Sequence, residues 1–251
     1  MNGRWPARPN GRSWPPLTDW RRAYALDLRH VRDATLTDGA LTLDGRAWTT
    51  RNTAYGGAQL VGGVGLQLSP SAGAHFDTSA PTAPMLDVVL GELIPQLHKA
   101  DRVRVQVAVG DANLSEAGQG FGVVIGHGAA TSYVTTHGPY HNGEGLKVRT
   151  QRIRTTGAVL DVTPAATPTF LSVEWSPSTV ATGFSTGDAW PTPGTEALGS
   201  RNTNLDAMAI GDPDGWYGPD KDRLRLFATR PTGASAFTAT FLGLRVWVQR
   251  R

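Results

Sequence analysis

Residues 101–111, Asp-Arg-Val-Arg-Val-Gln-Val-Ala-Val-Gly-Asp, decide the fold. Val103, Val105, Val107 and Val109 alternate with Arg102, Arg104 and Gln106. A period of two sends one set to each face of a strand, so four valines commit one face to a core while the arginines face outward. The stretch reads as a half-buried strand of an antiparallel sheet.

The same alternation continues on the C-terminal side through FGVVIGHG (121–128), TSYVTTHG (131–138) and GLKVRTQRIRTTG (145–157). AVLDVTP (158–164) and FLSVEWSPSTVATGFSTGD (170–188) add three more strands, and RLRLFATRP (223–231) and FTATFLGLRVWVQRR (237–251) close the chain. On the N-terminal side, AYALDLRHV (23–31) alternates, and TLTDGALTLDGRAWTT (35–50) reads as strand, Asp-Gly turn, strand. The Gly-rich 54–65 stretch (AYGGAQLVGGVG) lacks the Lys and following helix of a phosphate loop. It reads as a weakened strand that lets another backbone approach. Leu86, Val89, Leu90, Leu93 and Leu97 recur at helical spacing in residues 84–98, which predicts the one short helix, ended by Pro95.

About a dozen short strands without an internal repeat, punctuated by 30 Gly and 17 Pro, predict an all-β, two-sheet antiparallel sandwich of the jelly-roll type. Residues 23–251 are read as one such domain and residues 1–22 as an extended N-terminal arm. The arm is basic: residues 1–32 hold seven Arg against Asp19 and Asp27. Arg4, Arg8 and Arg12 beside Trp5, Trp14 and Trp20 suggest docking onto a partner, because a free tail would expose three large rings. The absence of cysteine excludes disulfides, thiolate metal sites and a Cys nucleophile. No apolar leader and no run of membrane-spanning length occur, so no membrane association is expected.

Three pieces together resemble the concanavalin A-like lectin/glucanase superfamily over roughly residues 23–250. They are 101–111 followed by Gln119–Ile125, Phe170–Trp175 with its hairpin partner Val180–Ser185, and Leu224–Thr229 leading into Phe241–Trp247. The resemblance implies a jelly roll of two curved sheets, used elsewhere for glycan binding, for glycan cleavage and as a domain of phage and virus particles. Fold analogy does not choose among these.

Glucanases of this fold carry ExDxE on one strand, which the chain lacks. Glu144 and Glu174 have no carboxylate two residues away. On that ground the chain is expected not to be an enzyme. His127, His137 and His141 read as surface or hydrogen-bonded loop residues, and no Gly-x-Ser-x-Gly elbow occurs. Asp212, Asp214, Asp220 and Asp222 crowd a Gly-containing loop that suits either Ca²⁺ or ordinary Asx-turn chemistry; no other cofactor is implied.

Trp190, Trp216, Tyr217 and Tyr140, with Asn142, stand among turn residues. Flat rings beside polar groups suit glycan stacking, with loop packing the alternative. Trp48, Trp175 and Trp247 fall in strand patterns and read as core or sheet-face residues. The resulting expectation is a phage-type virion attachment or structural protein, assembled in the host cytoplasm. Its partners would be particle proteins reached through the arm and a surface polysaccharide, not nucleic acid, and homo-oligomerisation is expected. A lectin-like module and a glycan-cleaving hydrolase are the alternatives.

Overall fold

The computed structural model describes residues 20–76, 81–97, 101–127, 134–153, 159–176, 179–193, 197–202 and 222–250. They form two antiparallel sheets packed face to face, as the alternating pattern demands. Sheet A runs, edge to edge, β15 (Ala197–Asn202), β14 (Thr179–Ser185), β13 (Phe170–Ser176), β8 (Arg102–Val109), β17 (Ala239–Gln249), β6 (Gly65–Pro70), β5 (Gly56–Val61) and β2 (Ala34–Leu36). The long β17 has room for a further neighbour, β1 (Arg21–Asp27). Sheet B runs β12 (Val159–Val162), β11 (Leu146–Ile153), β10 (Val134–His141), β9 (Gly120–His127), β16 (Asp222–Thr229), β7 (Met85–Val89), β4 (Arg46–Arg51) and β3 (Gly39–Leu43).

The two Asp-Gly pairs near the N-terminus do different jobs. Asp44 and Gly45 both adopt positive φ, the conformation a tight hairpin demands, and join β3 to β4. The segment around Asp38-Gly39 instead carries the chain from β2 in sheet A to β3 in sheet B.

The core forms where inward residues of both sheets meet. Val103, Val105 and Val107 of β8 lie beside Leu171 and Val173 of β13 and Leu244 and Val246 of β17; Val123, Ile125, Leu224, Leu226, Leu86 and Trp48 come from sheet B, and all are buried. Each such side chain stabilises the fold by about 1.5–3 kcal/mol. Phe121 of sheet B meets Phe241 of sheet A edge-to-face, ring centroids 5.7 Å apart.

Two expectations are corrected. Residues 85–89 form a strand, and only Leu90–Leu93 is helical. Leu86 and Val88 face the core while Met85 and Asp87, on the other face, are also buried. A strand covered on both sides reads as a continuous apolar run and so mimics a helix. Likewise β8 is covered on both faces, because its outward Arg104 and Gln106 are buried too.

The third correction concerns His137, which lies in strand β10 rather than a loop and is fully buried between the sheets. Its Nε2 lies 2.8 Å from the Gly183 carbonyl of β14, which can only accept, so Nε2 carries the proton. Nδ1, 2.9 Å from Thr150 Oγ1, then accepts from that hydroxyl, and Thr150 accepts in turn from Thr182 Oγ1 at 2.8 Å. This chain ties β10 and β11 of one sheet to β14 of the other.

Burial drives the His137 pKa down to about 4, only partly opposed by the bond to Gly183. The unfolded chain therefore binds the proton more tightly between pH 6.5 and about 4, and stability is lost as pH falls through that window. The full linkage is worth roughly 3 kcal/mol. Urea unfolding of wild type and His137→Gln should show the variant less stable at pH 7, with the gap narrowing towards pH 4. A constant gap would contradict the assignment.

Candidate functional site

The alternation that builds the core also fixes what the two outer faces display. On sheet B, β9 and β10 pair with Gly120 opposite Tyr140, Val123 opposite His137 and Val124 opposite Thr136. Since Val123 and His137 point inward, Gly120, Gly122, Gly138 and Tyr140 point outward. Two facing positions, Gly122 and Gly138, therefore carry no side chain. A methyl on Gly122 would overlap the His137 carbonyl oxygen, and one on Gly138 the Phe121 carbonyl. The strands approach too closely there for any other residue, and the result is a patch of bare backbone.

Beside it, Gly138 and the outward-facing Gly120 form the floor of a cavity of about 220 Å³. One wall is Tyr140, whose ring seats against Gly120 and carries the Arg149 guanidinium 3.6 Å from its centroid. Arg149 is held in turn by Asp161 of β12 through paired bonds of 2.8 and 2.7 Å. That ion pair holds the Asp161 carboxyl below, and the Arg149 guanidinium above, their usual ranges. The opposite wall is Phe227 of β16, with Phe76 against it at 5.1 Å. Thr136, Gln151 and Thr229 add polar groups, and His75 stands at the rim. The arrangement offers rings for an apolar surface and amide, hydroxyl and guanidinium groups for hydroxyls, at the scale of one sugar ring.

Further along the same face, Asp87 is wholly buried among three arginines. Arg223 Nη1 lies 2.5 Å away, Arg51 Nε 3.1 Å and Arg225 Nε 3.5 Å. A carboxylate so engaged is a structural counter-ion and is not placed to act as an acid or base. Among the described residues, no Asp or Glu lines the cavity.

The outer face of sheet A carries a different set. Trp190, from the turn after β14, packs against Phe170 at 5.0 Å and lies under the Arg245 guanidinium at 4.4 Å. Trp247 Nε1 donates to Gln106 Oε1 at 2.8 Å, and Gln106 Nε2 donates to the Pro191 carbonyl at 2.8 Å. This bridge clamps the 190–193 segment onto the sheet and explains the burial of Gln106. Trp20 lies over Arg104 and Arg102, at 5.3 and 5.6 Å, and both arginines hold Glu174 of β13.

Of the glycan-binding residues expected from sequence, Tyr140 and Trp190 thus stand on opposite faces of the sandwich. Asn142 is used locally: its Oδ1 accepts from the amides of Glu144 and Gly145, at 2.9 and 3.1 Å, and closes the β10–β11 turn. Trp216 and Tyr217 lie outside the described residues, as do Asp212, Asp214 and Asp220; Asp222 opens β16. Trp5, Trp14, Arg4, Arg8 and Arg12 of the arm are likewise outside them; of residues 1–22, Trp20, Arg21 and Arg22 are described, the last two opening β1. Among the described residues no group of three His, Asp or Glu gathers to hold a metal ion, and no helix is long and apolar enough to cross a membrane. The sequence reading missed Arg149, Gln151, Phe227 and the facing glycines. Gly122, just before Val123–Ile125, and Gly138, soon after Val134–Thr136, were the available signal.

No protein-family model matches the chain, and no curated protein matches it. Solved structures do. The GH43 protein BlXynB from Bacillus licheniformis superposes with a TM-score of 0.55 at 17% identity, over 94% of this chain and 40% of its own. Xylan β-1,4-xylosidase from Bacillus halodurans gives 0.56 at 14% identity, over 96% and 40%. The GlcNAcα1-4Gal-releasing endo-β-galactosidase from Clostridium perfringens gives 0.53 at 9% identity, over 96% and 65%. The chain spans two fifths of the length of the first two, and at these identities the likeness is one of fold. That fold is the two-sheet sandwich expected from the concanavalin A-like resemblance.

These neighbours correct one expectation. The missing ExDxE strand was taken to mean that the chain is not an enzyme, yet the three solved structures named above, which share its fold, are glycosidases by name, so the motif's absence is no ground for that expectation. The virion reading draws no support from them.

The bare patch over β9 and β10 is open to a direct test. Gly122→Ala should cost at least about 1–3 kcal/mol in urea unfolding, since the backbone opposite cannot yield. Gly57→Ala, where a methyl meets only Ser69 Cβ at 3.9 Å, should be neutral or mildly stabilising. Equal costs would mean that the strands do not approach as described.

Proposed function

We propose that this chain is the β-sandwich of a carbohydrate-active, glycan-cleaving protein, and that it seats one sugar ring in the hollow on the outer face of sheet B. The observation that carries the reading is the hollow itself. Its backbone floor at Gly120 and Gly138 lies between the Tyr140–Arg149 stack and the Phe227–Phe76 pair, with Gln151 and Thr136 among its polar lining. Sugars present apolar ring faces and a rim of hydroxyls, which is the complement of such a lining. The glycoside hydrolases that share the fold support the same class.

Cleavage by two carboxylates needs them about 5–5.5 Å apart for retention or about 6.5–9.5 Å for inversion. Asp161 is committed to Arg149 and Asp87 to its arginines, so the residues described around the hollow supply binding, and the acid and base come from elsewhere in the protein.

Calorimetric titration with xylotriose and with galactotriose tests the binding half. At least one should bind wild type, and Gln151→Ala and Tyr140→Ala should each weaken it about tenfold, the loss of a satisfied polar contact or a stacking face. Wild-type protein that binds neither sugar, or variants that bind unchanged, would refute the site. Release of reducing ends from xylan or galactan above that of heat-denatured protein tests the cleaving half.

A further inference from the structure

We propose a second saccharide site on the opposite face: the cleft on the outer side of sheet A, lined by Trp20, Trp190, Trp247, Arg21 and Arg245, takes an acidic sugar bearing a uronate carboxylate. The cleft has a volume of about 540 Å³, within the usual range for small ligands of about 300–1,000 Å³. Three indoles converge on it, each half-buried and none in the core. Two of them are positioned rigidly, Trp247 by its bond to Gln106 and Trp190 by Phe170 and by the Gln106 bond to the next residue, Pro191. Fixed flat rings at the edge of a cleft lose little entropy on stacking against a sugar.

Charge selects the kind of sugar. Of the carboxylates described on this face, Glu174 is held by Arg102 and Arg104 and Asp27 by Arg29 at 2.7 Å, while Asp188 lines the adjoining cleft with Arg22 and Arg245 but forms no ion pair with either. Arg21, Arg22 and Arg245 pair with no carboxylate among the described residues. Arg22 stands opposite Trp247 and Ala25 opposite Arg245 across β1 and β17, so Arg22 and Arg245 project from one face on adjacent strands. Burial, and then the charge of Arg22, push the Arg245 guanidinium below its usual range. A neutral sugar would bring that cation no counter-charge. A uronate offers the planar, two-oxygen partner that a guanidinium fork binds best; Trp190 holds that fork in place from beneath, and Trp247 lines the cleft for the ring.

The test is tryptophan fluorescence of the full chain titrated with trigalacturonate, with xylotriose and with a single-stranded oligonucleotide. Trigalacturonate should bind and perturb the emission, and Arg245→Gln and Trp190→Ala should each weaken it at least about tenfold. Raised salt should weaken it too, while Arg245→Gln leaves any xylotriose binding in the sheet B hollow unchanged. That last comparison separates failure of this site from failure of the other. Should Arg245→Gln melt early, Arg21→Gln, on the lining of the same cleft, serves as the second variant, with the same weakening expected. The proposal falls if wild type does not bind trigalacturonate or if both Arg variants bind it as wild type does. It falls equally if the oligonucleotide binds this cleft more tightly.

Discussion

The register that locks β8 between β13 and β17 governs everything else in the molecule. With Val103, Val105 and Val107 committed to the core opposite Val173, Leu171, Val246 and Leu244, the residues between them have only the outer face to occupy. A slip of one residue would bury Arg102, Arg104 and Gln106 in the core and expose the valines, so the register has no neighbouring alternative. The Gln106 bridge to Trp247 and Pro191, and the Arg102–Glu174–Arg104 group, exist because that choice has been made.

Sheet B repeats the logic with a different outcome. Its inward residues complete the core, and its outward ones at the β9–β10 crossing are glycines that leave the strands uncovered. Thus the two outer faces of one sandwich differ in kind: sheet A presents indoles and guanidinium groups, sheet B a hollow with aromatic walls and amide and hydroxyl groups. Between them, His137, Thr150 and Thr182 form a polar chain that is satisfied only when the sheets are in register, which makes it a check on how they are assembled.

The fold was legible because most strands have one face in the core, and period-two alternation survives in the sequence wherever that holds. It failed at residues 85–89, where both faces are covered and Asp87 is neutralised by Arg51, Arg223 and Arg225 from strands distant in sequence. The site was less legible. Tyr140 and Trp190 could be picked out as aromatics near turns, but nothing in their spacing shows that they project from opposite sheets. Arg149, Phe227 and Gln151 look like ordinary members of alternating strands, and only the pairing of β9, β10, β11 and β16 brings them round a common floor. His137 gave no warning of burial, since its partners lie on other strands and one is a backbone carbonyl.

The central claim is that the sandwich holds a sugar in the hollow floored by Gly120 and Gly138. The direct measurement is a crystal structure of the protein soaked with whichever trisaccharide binds it in solution. The account predicts one pyranose ring over those two glycines, between Tyr140 and Phe227, with a hydroxyl bonded to Gln151 or Arg149. A ring seated on any other surface, with this hollow holding only water, would contradict it.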